Sequence, residues 1–278
     1  MRAVSAWATV ALVAATLQLA AQQPPRAAQP RPRTPATPAP KRAPAAPAPA
    51  ARQDAAVPFK VGETLTYDVG WSNYLVAGSA VSRVVDKRTA FNSSAYYIVA
   101  EGRPLPLIAR IYALYYKMDS LMDSVTTLSQ RTSLYTEEGA RKRSATTIFD
   151  RGARRAQFAV QSEQALEFPV PANVQDGLAT LYALRGRTFK AGERVSIPVA
   201  DEGLLYTAHF DVTGPESVKV PLGVVNAWNL RVTILDYANQ PVGKNIAAWI
   251  SADARRLPVR LQADLPVGNF ALALRSAQ

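Results

Sequence analysis

The body of this protein opens on an alternating sequence, Thr64-Leu65-Thr66-Tyr67-Asp68-Val69-Gly70-Trp71. Its large apolar residues occupy every second position, so they project from one face of an extended strand. Comparable segments follow as far as Leu274, separated by turns that contain Gly, Pro or Asn. Because so many strands would leave long exposed edges in a flat sheet, we expect the sheet to curl. The sequence therefore predicts a mainly β fold, with a large antiparallel sheet curled into a half-open or closed barrel.

Two segments depart from this alternation. Leu107–Lys117 has its apolar residues three and four positions apart, which predicts a short amphipathic α-helix. This helix either packs into the core or forms a lid over an apolar cavity in the bent sheet. Val174–Arg185 has the same spacing and predicts a second short helix, capped at its start by Asn173 or Asp176.

The chain begins with a segment typical of export. Met1-Arg2 supplies one positive charge, and the uncharged, alanine-rich run Ala3–Ala21 follows. These are the first two regions of a secretory signal, so residues 1–21 are predicted to be a signal peptide. An uncleaved anchor is the alternative, because the run approaches the length of a membrane span. Either alternative places the body in the periplasm or elsewhere outside the cytoplasm.

Residues 22–56 form a second segment with its own composition. They contain ten of the 21 prolines, and most other positions are Ala, Gln, Thr or Arg. Such a segment cannot bury enough apolar surface to offset its ordering entropy, so we expect a disordered Pro/Ala/Arg-rich linker. The predicted domain order is signal peptide or anchor (1–21), linker (22–56) and one β-rich domain (57–278).

Composition excludes several classes of site. The chain has no cysteine, so it has no disulfide, no thiolate site and no lipid-modified cysteine. Its net charge is +11, and about half of this excess precedes the body, where a mobile basic linker would attract envelope polyanions. Nucleic acid is disfavoured as a partner, because no aromatic residues interleave with the basic runs of an exported chain. No apolar run after the leader is long enough to span a membrane.

The sequence shows no convincing catalytic or metal site. His209 is the only histidine, and it shares a strand face with Asp211, but no nucleophile motif accompanies them. The acidic pairs Glu137-Glu138 and Asp201-Glu202 lie beside glycine turns, where solvated acids are usual. A structural calcium ion at either turn is the alternative. We therefore predict no catalytic residue, no metal and no cofactor.

Bulky aromatic and aliphatic residues are the candidates for a binding site. They would line an apolar cavity in the bent sheet, which suits a lipid, or else they pack as ordinary core. The candidate lining residues are Tyr67, Trp71, Tyr97, Ile111, Tyr112, Tyr115, Phe149, Phe158 and Trp228.

Two basic hairpins form a second candidate site. Arg141 and Arg143 share one face of a predicted strand, and Arg154 and Arg155 follow the next turn. They could dock an acidic lipid, an envelope polymer or a partner protein. The alternative is a solvated outer face of the sheet.

Three motifs, taken in order, resemble a bacterial family called domain of unknown function 3108 (DUF3108). The motifs are Phe59–Trp71 with Ala77-Gly78, Gln175-Asp176-Gly177 with Tyr182–Arg185, and Gly223–Trp228 with Trp249–Ser251 and Arg255–Arg260. The resemblance covers roughly residues 57–275 and implies an exported, β-rich protein with no assigned reaction. The last motif is also similar to periplasmic lipoprotein carriers and related sigma-factor regulators. That similarity implies a half-open β-barrel with helices plugging its mouth.

These observations favour an exported, non-enzymatic cell-envelope protein. A half-barrel would bind or carry a hydrophobic ligand, such as an acyl chain, a lipid or a lipoprotein segment. The alternative is a structural or assembly protein with a filled barrel and no small ligand. A hydrolase is the least supported of the three, since a fold by itself does not establish a reaction.

Overall fold

Fourteen strands form one antiparallel sheet in the computed structural model, which describes residues 53–72, 75–110, 113–161, 163–265 and 268–278. The sheet consists of two meanders, β1–β8 and β9–β14, joined where β1 pairs with β14. The strands are β1 Thr64–Trp71, β2 Leu75–Ala90, β3 Ser93–Pro104, β4 Leu114–Asp123, β5 Ser129–Glu138, β6 Arg141–Asp150, β7 Arg155–Val160, β8 Leu166–Pro169, β9 Arg194–Asp201, β10 Leu204–Val220, β11 Gly223–Leu235, β12 Lys244–Ser251, β13 Pro258–Leu265 and β14 Gly268–Ala277. The predicted mainly β fold is confirmed.

The sheet curls but does not close. Its strand order runs β8-β7-β6-β5-β4-β3-β2-β1-β14-β13-β12-β11-β10-β9, so β8 and β9 are its two edges. Within the described residues these edges share no ladder of hydrogen bonds. The chain between them, residues 170–193, carries a helix, α2 (Gly177–Arg185), from one edge of the sheet to the other.

The prediction for the second helix is confirmed. Asp176 has extended backbone geometry, and its carboxylate accepts a hydrogen bond from the Ala179 amide at 2.8 Å. This is a standard N-cap, which satisfies one of the free amides of the first turn. The basic residue Arg185 ends the helix, where a positive charge complements the helix dipole.

The prediction for the first helix is wrong over most of its length. The helix α1 covers only Pro106–Ala109, and Leu114–Asp123 is strand β4. In β4, Leu114, Tyr116 and Met118 are buried while the residues between them are partly exposed. The apolar residues here fit both a helical and an alternating period, and hydrogen bonding to β3 and β5 selects the strand.

The core lies on the inner face of the curled sheet and around α2. Leu65, Tyr67 and Val69 of β1 are nearly fully buried, as the alternation predicts. They belong to one cluster with α2 and with residues from both meanders. Because α2 packs against β3, β4 and β9, it occupies the interior instead of lying on the outer surface.

The predicted signal peptide and most of the linker, residues 1–52, lie outside the described residues. The end of the predicted linker contacts the domain. The Ala55 amide donates to the Ser124 carbonyl at 2.8 Å, and the Asp54 carboxylate accepts from the Ser124 hydroxyl at 2.6 Å. Neither helix in the described part of the chain is long and apolar enough to cross a membrane.

Candidate functional site

Some of the predicted lining residues do face the interior. Tyr67 is buried, and its hydroxyl donates to the Pro258 carbonyl at 2.9 Å. Trp228 packs against the Phe189 ring with centroids 6.2 Å apart. These contacts belong to a packed core, so neither side chain projects freely into a cavity.

Other predicted lining residues lie elsewhere. Tyr97 and Tyr115 are on the outer face, because their neighbours Tyr96 and Tyr116 point into the core. The Arg88 guanidinium lies over the Tyr97 ring at 4.0 Å, so an outward cation–π contact replaces the predicted lining role. Tyr115 packs against Tyr135 and Arg103 on the same outer face. Trp71 stacks on Phe270 at the end of β1 and remains 41% exposed, and Ile111 and Tyr112 lie outside the described residues.

A buried ion pair anchors the end of α2. Arg185 is fully buried, and its two terminal nitrogens donate to the Glu63 carboxylate at 2.6 and 2.8 Å. Its Nε also donates to the Arg256 carbonyl at 3.0 Å. Burial by itself would lower the pKa of Arg185, but the hydrogen bonds and charge of Glu63 reverse this and raise it. The helix is therefore fixed to the start of β1 and to the β12–β13 connection.

A second polar network holds the start of α2. The Asp176 carboxylate accepts from the Ser120 hydroxyl at 2.6 Å, and the Asp176 amide donates to the Ser129 hydroxyl at 2.8 Å. The Gln175 side-chain oxygen accepts from the backbone amide and the hydroxyl of Ser129, both at 2.9 Å. Burial raises the pKa of Asp176, although these hydrogen bonds oppose the shift. Both ends of α2 are thus tied to the sheet by buried polar groups.

The two edges of the sheet overlap by side-chain packing. Phe149 and Ala156, from β6 and β7, form a small apolar cluster with Ala200 of β9 and with Val174. Arg143 on β6 also forms an ion pair with Glu202 in the β9–β10 turn. The segment before α2 bonds to the edge of β9 as well, since the Gln175 amide donates to Pro198 and the Gln175 carbonyl accepts from Ala200, both at 2.9 Å. The curl is therefore held by contacts other than a continuous strand ladder.

We expect the turn residue Gly203 to be sensitive to substitution, because it lies in this overlap. It has φ +79°, and a Cβ there would lie 2.9 Å from the ring of Phe158. Gly192 is a matched control with φ +80° and no atom within 4 Å of its Cβ position. Gly192→Ala should cost about 1–2 kcal/mol of unfolding free energy, from backbone strain alone. Gly203→Ala should cost about 1–3 kcal/mol more, from overpacking. Equal costs in urea denaturation would show that the edges do not pack tightly.

Asp201 is an unusual buried carboxyl at the end of β9. It is 8% exposed, and its Oδ2 has no hydrogen-bond partner in the described part of the chain. Burial raises its pKa well above the ordinary value, and the charges of Glu202 and Asp176 add to the effect. The folded protein therefore favours the neutral form of this side chain.

A partly exposed apolar strip lies beside α2. Leu181 of α2 and Ile197 and Val199 of β9 pack against the core cluster but remain partly open to solvent. Ile197 and Val199 share one face of β9, the last strand of the sheet, and β9 is in contact with α2, which carries Leu181. We call these three residues the α2–β9 strip. It is a part of the apolar inner face that stays partly exposed beside the last strand of the sheet.

The four predicted docking arginines do not form one patch. Arg143 is engaged by Glu202, and Arg155 pairs with Glu167 at 3.1 Å on the exposed edge. Arg141 begins β6, whereas Arg154 follows its far end, so a full strand length separates them. The polyanion-docking role stays a prediction, and the four arginines do not lie on one common surface.

His209 on β10 contacts a residue on the neighbouring strand β9. Its Nδ1 lies 2.7 Å from the Ser196 hydroxyl on the neighbouring strand. Asp211, the expected partner of the histidine, instead binds Arg194 through two hydrogen bonds of 2.6 and 2.9 Å. A catalytic triad needs its acid on the second ring nitrogen of the histidine, and here the acid is engaged elsewhere. Among the described residues, no group of three His, Cys, Asp or Glu side chains suits a metal ion.

The central polar residues of the interior are ones that sequence reasoning did not select as a site. They are Glu63, Gln175, Asp176, Arg185 and Asp201. The available signal was the placement of charged residues inside apolar segments, as in the helix motif that ends with Arg185. Charged residues in such positions are rarely buried unless they are paired, and Asp201 is the exception here.

The domain described above, from β1 to β14, matches a family model. The model is that of a protein of unknown function, DUF3108, and it matches residues 66–275. The chain belongs to the DUF3108 family. The match spans the whole sheet and α2, so the DUF3108 domain includes both meanders and the buried helix. None of the curated proteins matches the chain.

Several solved structures are similar in overall fold to this DUF3108 domain. One is a β-barrel-like protein of domain of unknown function DUF1849 from Brucella abortus, with 7% identity and a TM-score of 0.47 over 78% of this chain and 97% of that one. Another is a candidate lipoprotein from Parabacteroides distasonis, with 10% identity and a TM-score of 0.33. The match covers 81% of this chain and 100% of that one. A third is a candidate exported protein from Bacteroides fragilis, with 9% identity and a TM-score of 0.33. The match covers 81% of this chain and 100% of that one.

Proposed function

We propose that this DUF3108 protein is an exported, non-catalytic module of the cell envelope that binds an acyl chain. The α2–β9 strip is the observation that carries the proposal. An acyl chain laid against Leu181, Ile197 and Val199 would cover apolar surface that the fold leaves partly open. It would also shield the side chains of β9, the last strand of the described ladder, whose far side is bonded to the Gln175 backbone at Pro198 and Ala200.

Export supports the same proposal. The N-terminal leader and basic linker predicted from sequence would place the domain near the lipids of the envelope. Burial of a chain of about ten carbons gives on the order of several kcal/mol, which is enough for reversible micromolar binding after ordering costs. The mechanism is transfer of apolar surface out of water, and it requires no covalent step.

A second candidate is a structural protein with a filled barrel. It is favoured by α2, because this helix and the Glu63–Arg185 pair occupy the interior between the meanders. In that case the strip would be covered by protein or would remain a minor exposed surface. The two candidates differ in whether lipid accompanies the native protein.

Native mass spectrometry separates the two candidates. We expect protein purified without detergent from its own envelope to carry a co-purifying lipid. Repeated preparations without lipid, together with no binding of a fluorescent fatty acid in vitro, would rule out the acyl-binding function and leave the structural one.

Ile197→Glu should weaken fatty-acid binding by at least about tenfold, because it places a carboxylate on the apolar strip. Ile148→Glu is the matched control, since Ile148 is exposed on the outer face of β6, between the buried Thr147 and Phe149. The control should bind as the unaltered protein does. Fluorescence titration measures both, and equal affinities for the two variants would place the ligand elsewhere.

A further inference from the structure

The two ends of the curled sheet differ in the elements that cover them. One end, where β1 begins, is occupied by α2, whose terminal residues bond to Glu63, to the β12–β13 connection and to the start of β5. In an antiparallel sheet the opposite end is where β1 and β3 finish and β2 and β4 start. At that end Leu107 of α1 is exposed to solvent. The two ends therefore present different surfaces.

Exposed apolar side chains gather at the end opposite α2. Leu107 in α1 is 72% exposed, and Leu105, Val76 and Trp71 are also exposed. Their backbones lie at the same end of the sheet, because the Leu105 amide donates to the Ala77 carbonyl at 2.8 Å and Trp71 and Gly70 pair with Leu75 and Val76 across the β1–β2 ladder. We call Trp71, Val76, Leu105 and Leu107 the apolar tip. Large exposed apolar residues gathered at one end of a domain mark a contact surface more often than scattered single residues do.

Basic side chains flank this tip. Arg103, which ends β3 just before Leu105, has a side chain that is 63% exposed. Its ion pair with Glu101 is long, at 3.8 Å, so it contributes little, and the guanidinium, which also lies over the Tyr115 ring at 5.2 Å, is largely exposed. Arg110 caps α1 and is also exposed. Aliphatic and aromatic residues beside exposed arginines are the combination that lies in a membrane interface, where the arginines meet anionic head groups.

We propose that the apolar tip docks the domain onto the surface of an anionic lipid bilayer. Leu107 and Trp71 would enter the head-group region, and Arg103 and Arg110 would contact lipid phosphates. This interaction surface is distinct from the α2–β9 strip, and it does not depend on whether the strip binds an acyl chain. It would hold the end opposite α2 against the membrane.

The absence of cysteine allows a site-specific test in the full-length chain. Leu107→Cys and Val224→Cys would each carry one environment-sensitive fluorophore. Leu107 and Val224 have the same exposure, 72%, but Val224 lies in the β10–β11 hairpin, whose Leu222 folds back onto Leu274. The vesicles would contain three parts phosphatidylethanolamine to one part phosphatidylglycerol. Leader and linker are common to both variants, so any binding through them affects both equally.

The label at residue 107 should shift its emission to the blue and be quenched by lipids that carry a nitroxide in the acyl chain. The label at residue 224 should do neither. Leu107→Asp should reduce the insertion of a label placed at Val76→Cys by about tenfold. Arg103→Gln and Arg110→Gln should each weaken vesicle binding through the tip by about fivefold at low salt.

Two results would overturn the proposal. In the first, the label at residue 107 stays in water although the protein sediments with the vesicles. In the second, that label is shielded only when envelope proteins are added and never by lipid alone, which would assign the tip to a protein partner. Leu107 is so exposed that its substitution should leave folding intact, and circular dichroism of each variant checks this.

Discussion

Arg185→Ala is expected to lower the free energy of unfolding by about 3–5 kcal/mol. The substitution removes a fully buried guanidinium and leaves the Glu63 carboxylate without its two hydrogen bonds. It also frees the Arg256 carbonyl, which accepts from Arg185 Nε. An unpaired charge in the interior costs far more than the pair contributes.

An exposed pair of the same chemistry gives the control. Arg194 and Asp211 also form two hydrogen bonds, at 2.6 and 2.9 Å, but on the outer face of β9 and β10. Arg194→Ala should cost less than about 1 kcal/mol, because water replaces the lost partner. Urea denaturation of both variants measures the difference. Similar costs for the two would show that the α2 anchor is solvated.

A double variant tests whether the loss of stability in Arg185→Ala comes from leaving the Glu63 charge unpaired. Glu63→Leu combined with Arg185→Met removes both charges and keeps apolar volume at the site. We expect it to recover much of the loss, because neither partner is left buried and alone. If the double variant is as unstable as Arg185→Ala, the position of α2 depends on the hydrogen bonds from Arg185 to the Arg255 and Arg256 carbonyls instead.

Asp201→Asn is expected to stabilise the protein at neutral pH by about 1–3 kcal/mol, because the neutral amide avoids the cost of ionising a buried carboxyl, at about 1.4 kcal/mol for each unit of pKa shift. The folded-state pKa of Asp201 is raised by burial, by Glu202 and by Asp176. A raised carboxyl pKa means that its contribution to stability is present below the unfolded pKa near about 4 and is lost as pH rises through the folded value. The variant cannot ionise here, so its advantage should grow with pH.

Asp211→Asn is the control, because its effect on stability should change with pH in the opposite direction. The hydrogen bonds from Arg194 lower the pKa of Asp211, so its stabilising contribution is present above the unfolded pKa and is lost as pH falls. Thermal unfolding of both variants from pH 3 to pH 8 would show diverging trends relative to the unaltered protein. A difference between Asp201→Asn and the unaltered protein that does not change with pH would mean that Asp201 has the same pKa in the folded and unfolded states, as a solvated carboxyl would.

The strands were accessible to sequence reasoning because their pattern is local. In β1, Leu65, Tyr67 and Val69 alternate with polar residues, and the same face is buried in the structure. The cap of α2 was equally readable, because Asp176 acts on an amide three residues away. The boundaries of β4 could not be predicted in this way. Tyr115 and Tyr116 fit both a helical and an alternating pattern, and only pairing with β3 and β5 makes this segment a strand.

The candidate site was predicted less well for the same physical reason. Tyr97 and Tyr115 were expected inside the sheet, but which face of a strand is inner depends on the direction in which the whole sheet curls. Their immediate neighbours Tyr96 and Tyr116 take the inner positions. A shift of one residue exchanges the two faces, so two adjacent tyrosines leave the choice open in the sequence.

The amino-acid sequence by itself determined the β-rich class, the helix at Gly177–Arg185 and the absence of any cysteine chemistry, because these depend on spacing and composition. Only the tertiary structure decided that α2 enters the interior, that Arg185 meets Glu63 across 122 residues, and that the edges overlap near Gly203. These features join residues far apart in the chain. Their energy comes from burial and desolvation, which exist only once the sheet has curled around the helix.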